Sequence, residues 1–302
     1  VTEIALVAGY GSVRRFNDHF LKVYARPPSE VRQVSSRPQM LAVDSGDTTS
    51  SFQLRLPYRP PYDFEGVLRF LERRAIPGVE AVRDGCYARS IRIDDESGRL
   101  LVSHEPMAHR LVCTIHLESA RGLLRVVEGV RRIFDLNADP LEIADVLRRD
   151  GDLAPWIVAN PGLRLPGAWD PFEILIRAIV GQQISVKGAT TVMGGIARDF
   201  GENAHGMLLF PTAESLARQD PDRLPMPRAR GRTVIAAARA VHEEDMDFRA
   251  LDTPALLARL MAIKGIGPWT AQYFAMRALG DPDAFPDNDL VLRKIAASHL
   301  GL

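Results

Sequence analysis

The spacing of apolar residues changes character near residue 120, and that change divides the chain. Between residues 52 and 117 apolar side chains alternate with polar ones, the period of two that a half-buried strand requires. Phe52-Gln-Leu-Arg-Leu56, Ala88 to Ile93, Leu100 to His104 and Leu111 to Leu117 read as strands. One helical stretch interrupts them, where Asp63 is placed to cap a segment through Arg74 with Val67, Leu68 and Leu71 on one face. From Arg121 onward the repeat is helical: Leu123 to Phe134, Pro140 to Arg149, Phe172 to Phe200, Ala213 to Gln219, Arg228 to His242 and Pro254 to Ala262. The pattern predicts an α+β protein, with a small antiparallel sheet-and-helix domain at 52–120 followed by an all-α domain at 121–302. Residues 35–51 lack periodicity and read as a linker. Residues 1–34 form a separate, helical beginning.

Chemistry concentrates in one stretch, Ile263-Lys-Gly-Ile-Gly-Pro-Trp-Thr-Ala-Gln-Tyr-Phe274. Gly265 and Gly267 lack a Cβ, so the chain can turn sharply between two helices and bring backbone N–H groups up to a bulky anion, for which a DNA phosphate is the natural candidate. The helix that follows, Trp269 to Leu279, is apolar on the face of Ala271, Phe274, Ala275 and Ala278, and Gly280 is placed to end it. After a loop at 281–288 another helix begins near Asp289, with Leu290, Leu292 and Ile295 expected inward. Asp289 would then stand at a helix start facing the hairpin. Trp269 and Tyr273, at i and i+4, share a helix face, either as core packing or as one wall of a cavity.

Composition narrows the class further. With 46% hydrophobic and 25% charged residues among 302, the chain is ordinary globular material. No apolar run approaches the roughly 18 residues a membrane span needs, and no signal-peptide pattern opens the chain. A cytoplasmic protein without a membrane partner is expected. Cys86 and Cys113 are too few for an iron–sulfur cluster or a Cys₄ zinc site, and the seven histidines lack ligand spacing, so no transition metal and no cofactor are expected. Basic and acidic residues balance at 38 each, which argues against binding nucleic acid by charge alone. A hairpin that holds phosphate through amides needs little net charge.

Three further stretches accompany the hairpin: Arg59-Pro-Pro-Tyr-Asp63, Pro161-Gly-Leu-Arg-Leu-Pro-Gly167, and Asp170-Pro-Phe-Glu-Ile-Leu-Ile-Arg-Ala-Ile-Val-Gly-Gln-Gln-Ile-Ser185. With them, the chain from Phe52 to its last residue resembles the bacterial inducible 3-methyladenine DNA glycosylase II family of the helix-hairpin-helix glycosylase superfamily. The resemblance implies a monomeric repair enzyme that flips an alkylated purine out of double-stranded DNA and hydrolyses its N-glycosidic bond. Hydrolysis passes through a sugar of oxocarbenium character, beside which a fixed negative charge must stand. The resemblance gives that role to Asp289; a plain helix N-cap is the simpler reading of the same residue, and Asp287 is its rival.

The resemblance further implies base-pocket aromatics at Trp269, Tyr273 and Phe70, whose electron-rich faces suit a base made cationic by alkylation. It implies DNA contacts at Lys264, Gly265, Ile266, Gly267 and Thr270, and at Gln182 and Gln183, which begin a turn in the segment 172–200. Gln183 falls where the family inserts a wedge, commonly apolar, into the gap left by the flipped base; a solvated glutamine is the alternative. Superfamily members that also cleave the strand carry a lysine where Trp269 stands, so an enzyme without lyase activity is implied. The carbonyls of Met261, Ile263 and Ile266 correspond to a monovalent-cation site. The family continues past Leu302 into a tryptophan-rich helical segment, so a truncated C-terminus is expected. At the other end, Ile4 to Phe20 with Pro27-Pro-Ser-Glu-Val-Arg32 resembles the second helix-turn-helix of AraC-type regulators. Gly9 would make its turn and Ser12 to Phe20, with Arg14 and Arg15, its recognition helix. That stretch begins in mid-helix and without methionine, as a fragment would. Two other readings stand beside the enzyme: a transcription regulator whose glycosylase-like part only binds or senses DNA, and a non-catalytic scaffold. An alkylation-responsive regulator fused to its repair enzyme would join the first two.

Overall fold

A computed structural model describes residues 12–24, 27–28, 50–243, 246, 248 and 252–299. Helix α1 (Val13–Tyr24) exposes Arg14 and Arg15 and packs Phe16 against Phe20 with their rings tilted; Gly9 and most of the expected helix-turn-helix and linker lie outside the described residues.

The alternating stretch forms one antiparallel sheet of β1 (Ser50–Pro57), β2 (Glu80–Arg83), β3 (Cys86–Ile93), β4 (Glu96–Glu105) and β5 (Arg110–Leu117), in the order β1-β5-β4-β3-β2. Phe52 pairs with Ile115 and Leu54 with Cys113, so the apolar residues of both strands share a face. Against that face pack α2 (Phe64–Glu72) and α3 (Leu123–Ile133) through Val67, Leu71, Val126 and Val130. Asp63 caps α2 by accepting from the Gly66 amide at 2.8 Å, as its position predicts. Cys113 is buried in this core, and the loss of water pushes its thiol up to about 12.

The helical part continues with α4 (Pro140–Leu147), α5 (Ala154–Ala159), α6 (Pro171–Val180), α7 (Val186–Phe200), α8 (Ala213–Ala217), α9 (Arg228–His242), α10 (Thr253–Ala262), α11 (Pro268–Phe274) and α12 (Leu290–His299). Helix α6 runs through the centre, with Ile174, Leu175, Ile176, Ile179 and Val180 all buried. Three expectations need correction. The segment 172–200 is two helices, because Gln183 turns left-handed at φ 58° and Ser185 opens α7 by accepting from the Gly188 amide. The domain is not wholly helical, since β6 (Glu202–Ala204) and β7 (Met207–Leu209) form a hairpin that reaches the sheet. Short β2 and α5 carry too few residues for either period to register. Finally Leu290, Leu292 and Ile295 are not inward but 71%, 39% and 48% exposed, as no described element covers that face of α12.

Two sequence stretches with no evident chemistry prove to be halves of one clamp. Buried Arg164 donates to the carbonyls of Arg59 and Pro61 and to those of Asp135 and Ala138. Gly162, at φ 79°, lies so close to Tyr62 that a Cβ would meet its amide nitrogen at 2.5 Å.

Charged residues join sheet to helices. Arg89 on β3 donates to Glu173 on α6 at 2.7 Å, and Arg177 on α6 donates to Glu80 on β2 at 3.0 Å; all four are almost wholly buried. Tyr87 also donates to Glu80, at 2.7 Å. Burial is the largest single effect on the Glu80 carboxyl, but the guanidiniums of Arg177 and Arg89, the Tyr87 hydroxyl and the Ile76 amide together outweigh it and hold the group below its ordinary range, whereas burial outweighs the arginines at Glu173 and raises it. Arg89→Met should therefore destabilise the fold by about 3–5 kcal/mol, because it strands buried carboxylates. Denaturant unfolding of that variant beside Arg89→Met/Glu173→Leu checks it: the double variant should recover much of the loss.

Candidate active site

The hairpin between α10 and α11 is fixed from three sides. Ile266 is buried in the helical core. The Ile266 amide donates to the Ile263 carbonyl at 3.0 Å, closing a tight turn. Gly265 sits at φ 99°, where a Cβ would fall 2.2 Å from the Thr233 hydroxyl oxygen, and that hydroxyl donates to the neighbouring Lys264 carbonyl at 3.1 Å. Glycine is thus required twice over, by conformation and by space. Gly267, by contrast, has open space around it, and the first turn of α11 behind it presents amides without intrahelical acceptors. Lys264 is exposed at the tip. Of the three carbonyls expected to face a monovalent cation, that of Ile263 already accepts one amide and keeps a second lone pair.

Gln182 and Thr270 face inward rather than toward a ligand. The Gln182 side-chain amide donates to the Gly265 carbonyl at 3.0 Å and to the Thr270 hydroxyl at 2.9 Å, and Thr270 is 1% exposed. Their side chains thus position the hairpin, while the Thr270 backbone amide stays in the open first turn of α11. Arg230 on α9 donates to the Gln182 carbonyl at 2.7 Å and pins the same turn. Gln183 is left exposed at the turn's apex in its left-handed conformation, a strained placement in which backbone and side chain project from the surface.

Asp289 is both an N-cap and a partner of the hairpin helix. Its Oδ1 accepts from the amides of Val291 at 2.8 Å and Leu292 at 3.1 Å, while Oδ2 accepts from the Trp269 indole at 2.8 Å. The two readings of its sequence position are therefore compatible. Burial alone would raise this carboxyl, but the indole and the two amides outweigh it and hold it below its ordinary range. Asp287 is exposed and has no such setting.

Trp269 stacks on Tyr273 with ring centres 5.3 Å apart and planes 16° from parallel. Beyond them the helix widens into a π turn over Ala275–Leu279 before Gly280 ends it in the left-handed conformation. Arg277, in that turn, donates to the Tyr273 hydroxyl at 2.9 Å. Phe70 joins this group from α2, but guanidiniums lie close to its ring, Arg74 at 3.8 Å and Arg277 at 4.7 Å from the centroid. Sequence reasoning missed Arg74, Thr233, Arg230 and Arg277, which sit in helical patterns whose period marks a face but not a partner.

Comparison with known proteins gives the chain's relatives and its fold. Residues 53–170 match the family described as the AlkA N-terminal domain. The chain is 39% identical, over 99% of its own length and 60% of the relative's, to a Mycobacterium tuberculosis protein named as a probable bifunctional transcriptional activator/DNA repair enzyme AlkA. It thus spans 60% of the length of that relative. It is 34% identical to the Escherichia coli DNA-3-methyladenine glycosylase 2 over 79% of this chain and 85% of that one. Among solved structures, a 3-methyladenine DNA-glycosylase from Archaeoglobus fulgidus shares the fold, with a TM-score of 0.72 at 22% identity over 82% of this chain and 86% of that one.

Two variants test the geometry without any assay of activity. Trp269→Phe removes one donor, so the Asp289 carboxyl should move up toward its ordinary value in an NMR titration. A carboxyl held low stabilises the fold above its ordinary pKa and loses that contribution as pH falls through the lowered value; the variant should accordingly show less acid-dependent loss of stability. Gly265→Ala should cost about 2–3 kcal/mol in denaturant unfolding, from the left-handed backbone and the overlap with Thr233.

Proposed function

The chain belongs to the DNA-3-methyladenine glycosylase 2 family, and on that premise we propose that it is a monofunctional glycosylase that excises alkylated purines of the 3-methyladenine and 7-methylguanine type from duplex DNA. The observation that carries the reading is the Asp289 carboxylate, ionised and held 2.8 Å from the indole of the helix that follows the hairpin. Three donors on one carboxylate make it a poor proton acceptor, so its service is electrostatic: a fixed negative charge beside the ribose carbon as positive charge develops there. Water supplies the new hydroxyl at that carbon and gives up its other proton to bulk water, and the alkylated base departs with the bonding electron pair, leaving neutral because alkylation had made it cationic.

Each remaining part has a matching task. The amides of Gly265 and Gly267 and those of the first turn of α11 bind backbone phosphate, with Lys264 beside them. Gln183 enters the space of the flipped nucleotide, where a glutamine fills the gap and hydrogen-bonds the orphaned partner base. Trp269 and Tyr273 offer aromatic faces to the cationic base, a contact worth roughly 0.5–2 kcal/mol. Trp269 occupies the place of a Schiff-base lysine, so the product is an uncut abasic site. Alignment with the mycobacterial activator and repair enzyme over nearly the whole chain, α1 included, supports a regulator–repair fusion as the native setting.

Release of free 3-methyladenine and 7-methylguanine from alkylated duplex DNA tests the proposal. The parent chain should release both, Asp289→Asn should be slower by about 10²-fold or more, and neither should nick the strand. An Asp289→Asn variant as fast as the parent would remove the assigned charge from the mechanism. Specific binding of duplex DNA without release would favour a DNA-sensing regulator.

A further inference from the structure

Behind Phe70 and Tyr273, where the sheet domain meets α6, lies a small cavity of about 30 Å³, room for one water molecule or one ion of similar size. The charged groups lining it are unbalanced: Arg74, Arg89, Arg177 and Arg277 face only Glu80 and Glu173. Those two carboxylates are already taken, since Arg89 and Arg177 each pair with both of them. Arg277 is 5% exposed and has neutral partners only, the Tyr273 hydroxyl at 2.9 Å and the Gly167 carbonyl at 3.2 Å, and its buried Nε–H meets no acceptor. Arg74 likewise has no carboxylate, its guanidinium lying over Phe70 and donating to the Phe70 carbonyl at 3.4 Å. Buried Arg277 and half-buried Arg74 thus share this space without a counter-charge.

An unpaired charge removed from water costs several kcal/mol and is tolerated where an opposite charge arrives to meet it. We propose that this cavity binds one small inorganic anion of halide size, held by the Nε–H of Arg277 and the guanidinium of Arg74. The cavity's small volume suits a halide better than sulfate or phosphate, and its excess charge has the sign for an anion rather than for water alone. If the proposed function holds, the same anion screens the arginines that would otherwise repel a cationic base at the neighbouring aromatic faces, but the binding site itself does not depend on that function.

Thermal unfolding of the full chain in sodium chloride and in sodium gluconate, at equal ionic strength, tests this directly. Chloride fits the cavity and gluconate does not, so the parent should melt at least about 2 °C higher in chloride, and Arg277→Met should lose that difference. Equal melting temperatures in the two salts overturn the site, and so does an undiminished difference in Arg277→Met, which would place the halide effect elsewhere. Should the variant fail to fold, parent crystals soaked in sodium bromide take its place. An anomalous peak within hydrogen-bonding distance of Arg277 upholds the site; a map without one leaves water as the occupant and overturns it.

Discussion

A buried exchange of charge between sheet and helix is the constraint on which the rest of this molecule depends. Arg89 and Arg177 are shared between Glu80 and Glu173, so β2, β3 and α6 can sit against one another in only one register. Apolar packing alone would tolerate sliding, because hydrophobic contact has no direction. Charge-assisted hydrogen bonds at 2.7 and 3.0 Å do not tolerate it. Helix α6 is thereby fixed, and everything on the candidate site face hangs from its C-terminal end.

From that end the restraints pass through hydrogen bonds. Gln182 carries the position of α6 to the hairpin through Gly265 and Thr270, Arg230 ties the same turn to α9, and Thr233 closes the hairpin from behind. The hairpin opens α11, whose Trp269 reaches across to Asp289. The side chains with chemistry therefore come from the ends of four helices, and most of their partners are backbone carbonyls or amides. Such contacts constrain direction as well as distance, which suits a site that must present a turn, a charge and two aromatic faces to one extended ligand.

Arginine recurs at the joints of this structure for a related reason. Arg164 collects four carbonyls from two loops, a task suited to a planar fork with five donors. Arg277 spans the Gly167 loop and Tyr273 in the same way. The cost is buried charge. Where a glutamate shares the space that cost is met, and around Arg277 and Arg74 it is not, so the cavity beside them is electrostatically incomplete.

Periodicity determined a good deal of this protein from sequence alone. The change of period near residue 120, the cap at Asp63, the glycine pair of the hairpin and the stop at Gly280 are local matters of side-chain alternation and backbone freedom, and each was legible. Spacing put Asp289 at a helix start facing the hairpin and Trp269 and Tyr273 on one helix face, while their roles came only from the family resemblance. Other features required the folded chain. The break at Gln183 interrupts an otherwise continuous helical pattern, since a left-handed residue other than glycine leaves no mark in hydrophobicity. Inward positions assigned to α12 failed because an apolar face says nothing about what is there to cover it. The inward turn of Gln182 and Thr270, the clamp at Arg164 and the charge network of Glu80 and Glu173 join residues about 80 to 105 positions apart. Tertiary structure alone decided these, because a hydrogen bond needs two groups in place at once and the sequence displays them one at a time.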